Sequence, residues 1–106
     1  MEIICQLAGA NFRTAEAKEI IYALEVGDTL TLERDPENAY DSNAIKVLKD
    51  DVFIGFVPKD DNSLLAKAMD AGEKFACEVI DASLGLKPML LVYRAEEDES
   101  YFDQTE

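Results

Sequence analysis

The chain has no histidine, which removes histidine acid–base catalysis and every histidine-centred triad. Its two cysteines, Cys5 and Cys77, lie in apolar stretches of strand character. Buried, reduced thiols are the expected state in a reducing compartment. A structural zinc site needs about four nitrogen or sulfur ligands, and two cysteines without a histidine cannot supply them. No glycine-rich phosphate loop occurs. Oxygen ligands gather in one place, at Asp35, Glu37, Asp41 and Asn43. That stretch fails the calcium-loop pattern: the required glycine is missing, and Lys46 stands where the bidentate glutamate belongs. Solvated turn carboxylates are the reading that remains. With 23 acidic residues in the chain, chance carboxylate pairs say nothing about glycoside chemistry. No catalytic residue, metal site or cofactor is assigned, and no enzyme signature is found.

Acidity bounds the remaining functions. Lys and Arg number 10 against 23 Asp and Glu, for a net charge of −13 over 106 residues. Nucleic-acid binders are usually basic, because neutralising phosphates drives their affinity. Six of the acids fall between Ala95 and Glu106 with no base among them, and the rest of the chain still carries −7. Any nucleic-acid site must therefore be a small basic island. Hydrophobic residues make up 48% of the chain, enough to pack the core of one domain and too short a chain for two. No apolar run approaches the roughly 18 residues of a membrane span. Met1–Cys5 lacks the basic start and long apolar stretch of a secretory signal, so a cytoplasmic location is expected.

The elements that must position any site follow from periodicity and punctuation. Glu2–Leu7 suits a strand, and Gly9 and Asn11 mark a turn or bulge. Thr14 can cap a helix whose Ala17, Ile20, Ile21 and Leu24 share one face. Gly27-Asp28 ends it, and Thr29–Arg34 alternates as a strand with Leu30 and Leu32 inward. Asp35–Asn43 is dense in turn formers and reads as a loop. Ala44–Leu48 and Val52–Val57 read as strands joined through a tight Lys49-Asp50-Asp51 hairpin, with Pro58 as the stop. Asp61, Asn62 and Ser63 offer N-caps for a second helix, which Gly72 ends. Lys74–Ala82 and Met89–Tyr93 complete the strands. Strands that mostly pair with their neighbours, plus two short helices, predict an α+β domain. Its core would be a small, partly open barrel, OB/SH3-like, of about six strands. The domain is expected over residues 1–94, followed by an acidic, disordered tail over residues 95–106.

The stretch from Arg34 to Val57 resembles the HIRAN domain family. The family pattern is an acidic or basic residue, Pro, x, Asn, x, Tyr-Asp, x, Asn-Ala-Ile, x, Val, then a hairpin closing on Ile/Leu-Gly-Tyr/His-Val/Leu-Pro. The chain reads Asp35-Pro36-Glu37-Asn38-Ala39-Tyr40-Asp41-Ser42-Asn43-Ala44-Ile45-Lys46-Val47, then Ile54-Gly55-Phe56-Val57-Pro58. The likeness continues through Leu64-Leu65-Ala66 and Asp70-Ala71-Gly72 and spans about Ile3 to Tyr93. It implies a barrel related to OB folds. In the family's best-understood member the domain captures the 3′-hydroxyl end of single-stranded DNA. Carried over by position, Tyr40 would stack on the terminal base and Asp41 would accept a hydrogen bond from the 3′-hydroxyl. Asn38 would contact sugar or base edge, and Lys59 a phosphate. Phe12-Arg13 falls near the family's aromatic–basic contact on the first loop. Phe56 stands where the family often has Tyr or His, and Ala39 replaces a common Pro. Structural roles remain open to the same residues: Asp41 and Asn43 are natural loop caps, and Tyr40 can plug one end of the barrel.

Two functional readings follow. The first is a nucleic-acid-binding module for single-stranded DNA ends, working beside a helicase, nuclease or other partner that does the chemistry. The second is an acidic protein-interaction adaptor, or a mimic of DNA charge, that binds a basic protein. Helicase motors are commonly fused to HIRAN domains, but no motor motif occurs in this sequence, so ATPase and zinc chemistry are not carried over.

Overall fold

A computed structural model describes residues 1–95. Of the acidic tail expected to be disordered, 95–106, residues 96–106 lie outside the described residues. In chain order the elements are β1 (Glu2–Gln6), α1 (Ala15–Tyr22), β2 (Thr29–Arg34), β3 (Ile45–Lys49) and β4 (Val52–Phe56), then α2 (Ser63–Asp70), β5 (Phe75–Asp81) and β6 (Met89–Arg94). The strands form one antiparallel sheet in the order β1-β6-β5-β2-β3-β4. Pairs β2–β3, β3–β4 and β5–β6 are sequence neighbours, as expected. Pairs β1–β6 and β2–β5 are long-range.

The sheet curls into a half-barrel and closes at a single seam. Just past β1, Ala8 bridges Phe56 at the end of β4. The Ala8 N–H donates to the Phe56 carbonyl at 2.9 Å, and the Phe56 N–H donates to the Ala8 carbonyl at 2.8 Å. Leu7, one residue earlier, still donates to Pro88 O at 3.0 Å on the β6 side. The chain therefore changes partners between Leu7 and Ala8. Gly55 permits this approach: a Cβ there would lie 2.7 Å from Ala8 O and 2.7 Å from Leu7 Cδ1.

Local signals act as the residue types dictate. Thr14 Oγ1 accepts from Ala17 N–H at 3.1 Å and caps α1. Ala17 and Ile21 face the core, and Leu24 packs there from the turn after the helix. The β3–β4 connection is a two-residue turn with φ 51° at Asp50 and 72° at Asp51, the primed geometry that matches strand twist. The core combines Leu7, Ile21, Ile45, Ile54, Leu65, Val79 and Leu90 with others from both helices and all six strands. Cys5 and Cys77 are free and buried in it. Burial pushes their thiols up, to about 11 for Cys5, with Asp61 adding to the rise. Cys77 rises to about 12, with Cys5 and Glu78 contributing. Neither forms appreciable thiolate at neutral pH. Among the described residues, no helix is long and apolar enough to cross a membrane.

Candidate functional site

The loop from Asp35 to Asn43 is held by its own side chains. Asn38 Oδ1 accepts from the N–H groups of Tyr40, at 2.9 Å, and Asp41, at 3.1 Å. Asn38 Nδ2 donates to Asp35 Oδ2 at 3.1 Å. Asp41 Oδ1 accepts from Asn43 N–H at 2.9 Å. These are the short-range bonds that Asn and Asp make in turns. Arg34, at the end of β2, ties the loop to the second helix. Its guanidinium donates to both carboxylate oxygens of Asp70, at 2.9 and 3.2 Å, and to the carbonyls of Ala44 and Ser42, at 2.6 and 2.9 Å. The fork geometry of arginine suits this, where a lysine could make only part of it.

Asp41 is also reached from the far side. Asn62 is 2% exposed and directs its Nδ2 to Asp41 Oδ2 at 2.8 Å. The Asn62 amide, then the Asn43 N–H, hold the Asp41 carboxyl below its usual range; burial opposes them, and Lys59 and Arg34 add smaller downward pulls. Asp41 is thus ionised well below neutral pH. Two of its roughly four acceptor positions remain for a ligand.

Beside Asp41 opens a cleft of about 310 Å³ lined by Asn38, Tyr40, Asp41, Phe56, Lys59 and Asn62. Ala8 and Gly9 of the seam also line it, so closing the barrel builds its wall. Gly9 adopts φ 74°, and a Cβ there would stand 3.4 Å from Phe56 Cδ2. Tyr40 is 93% exposed. It is not a plug in the barrel end, but a free aromatic face at the cleft mouth.

Five of the seven residues singled out from the sequence therefore converge on one cleft. Phe12 is 82% exposed and lines an adjoining cleft with Lys87, Pro58, Ala8 and Gly9. Arg13 lines neither cleft. It turns onto the β3–β4 hairpin, with Cζ 4.2 Å from the Phe53 ring centroid. Asn38 is occupied in holding the loop. Asn62, read from the sequence as a helix cap, makes no side-chain cap bond and grips Asp41 instead. Nothing in the sequence links these two residues, which lie 21 positions apart.

Together, the curled antiparallel sheet, two short helices and seam-side cleft define an OB-like half-barrel. Two solved structures share this fold. One, from Lactobacillus plantarum, has a TM-score of 0.78 and 22% identity, covering 89% of this chain and 95% of its own. The other, the HIRAN domain of human HLTF, has a TM-score of 0.71 and 24% identity, covering 97% of this chain and 84% of its own. No curated protein matches the chain in sequence. The HIRAN domain family model matches residues 2–87, and the chain belongs to that family.

Proposed function

We propose that this chain is a binding module for free 3′-hydroxyl ends of single-stranded DNA. The observation that carries the reading is the Asp41–Tyr40 pair: an ionised acceptor and an exposed aromatic ring lining one cleft. A stacked terminal base gains about 1–3 kcal/mol from such a ring whatever its identity. Asp41, as a carboxylate, can only accept, so it favours a terminal hydroxyl and repels a terminal phosphate. Lys59, the cation lining the cleft, is suited to the preceding phosphate. Phe56 supplies an apolar wall in place of a polar contact. The module binds and does no chemistry of its own; a helicase or nuclease that works on such ends is the partner class this implies.

Fluorescence anisotropy at low salt tests the reading, with a short oligonucleotide ending in a 3′-hydroxyl or a 3′-phosphate. The hydroxyl form should bind more tightly. Tyr40→Ala should weaken binding by about 1–3 kcal/mol with no loss of stability, since the ring is exposed. Equal affinity for the two ends, or binding indifferent to both Tyr40→Ala and Asp41→Asn, would sink it.

The acidic adaptor reading draws on the net charge of −13 and on the six acids between Ala95 and Glu106. It predicts capture of a basic protein that is lost on deleting Ala95–Glu106. Identical pull-downs from full-length and truncated chains would eliminate it.

A further inference from the structure

We infer that Arg13, Lys46 and Phe53 form a second contact surface, on the outer face of the β3–β4 hairpin, for the sugar–phosphate backbone of a strand whose end lies in the cleft. The inference rests on the reading that nucleic acid occupies that cleft.

Acids outnumber bases 23 to 10, yet among the described residues only three cations, Arg34, Lys49 and Arg94, have a carboxylate within ion-pair distance. Arg13 and Lys46 have none among the described residues. Both lie against one ring instead, with Arg13 Cζ 4.2 Å and Lys46 Nζ 5.0 Å from the Phe53 centroid. A cation held over an aromatic face keeps its N–H donors available to a further acceptor. Arg13 Nε is buried without a hydrogen-bond partner, which is costly for a charged donor. A phosphate would meet the outer Nη groups of the guanidinium, since Nε itself is buried.

The patch is continuous with the cleft. Phe53 meets Phe56 edge-on, with centroids 5.1 Å apart at 82°, and Arg13 Cζ lies 6.0 Å from the Phe56 ring. Lys46 is the direct cross-strand partner of Phe56. Phe56 thus has the cleft on one side and the two cations on the other. Glu33 on β2 is the other cross-strand neighbour of Lys46, so the two cations form a small patch with one acid at its edge. Its ligand class is the repeating phosphate of a single strand, whereas the cleft selects the end.

The test uses the full chain, Lys46→Ala and Lys46→Gln (which keeps the apolar stem over the ring), and the two oligonucleotides above, titrated over a range of salt. Each phosphate neutralised contributes about 0.7 to the slope of log K against log salt for single strands. Both variants should lower that slope by about this amount and weaken both oligonucleotides alike, several-fold at low salt, leaving the hydroxyl preference intact. End-selective binding with an unchanged slope would overturn the patch and spare the cleft. Binding without end preference that still depends on Lys46 would overturn the cleft and support the patch. Absence of binding to either oligonucleotide would overturn both.

Discussion

Replacing Gly55 with alanine tests whether the seam builds the cleft. The new Cβ would stand 2.7 Å from Ala8 O, 2.7 Å from Leu7 Cδ1 and 2.8 Å from Leu7 Cγ, all closer than real contacts allow. Two escapes exist. Leu7, 2% exposed, can be forced off its rotamer in a packed core, at about 1–3 kcal/mol. Alternatively the seam opens and its two hydrogen bonds are lost, at about 0.5–1.5 kcal/mol each. Either route costs about 1–3 kcal/mol, a sizeable share of the roughly 5–15 kcal/mol that holds a small domain together. Urea denaturation measures the loss, and hydrogen exchange at Ala8 and Phe56 identifies the route. In a Leu7→Ala background the substitution should cost less, because two of the three contacts disappear. A loss under about 0.5 kcal/mol, the range of an ordinary surface change, with both amides still protected, would refute this account of the seam.

Asn62→Leu removes the donor that does most to hold the Asp41 carboxyl down. The Asp41 midpoint, followed by NMR, should move up; an unmoved midpoint would mean the bond is not made. A depressed folded pKa gives stability that is complete above the unfolded value of about 3.9 and is lost as pH falls through the folded value. Acid unfolding of the wild type should therefore retain an Asp41 contribution at pH values where the variant has already lost it. Separately, Asp50→Asn with Asp51→Gly should stabilise the hairpin by about 1 kcal/mol, because both sites have positive φ and Asn-Gly suits that turn. Thermal melting should show a rise of about 4–8 °C; no change would mean the turn is not under strain.

What could be read in the sequence was local. Thr14 lies three residues from the N–H it caps, and the Asp35–Asn43 loop is closed by Asn and Asp bonds spanning two or three residues. Such bonds depend on residue type and spacing, so the loop, the hairpin and the apolar face of α1 could all be placed from them. The HIRAN motif falls on that same local stretch and on the hairpin after it, and it carries Tyr40, Asp41 and Phe56, with Lys59 just past its closing proline. Tertiary structure alone decided the rest. Whether β1 pairs with β6 or another strand depends on which arrangement buries the most apolar surface, a property of the whole chain. The partner change at Leu7–Ala8, the grip of Asn62 on Asp41 and the seating of Arg13 and Lys46 on Phe53 all follow from that closure. Each joins residues that become neighbours only after the sheet has curled, and no periodicity or turn signal encodes contacts of that kind.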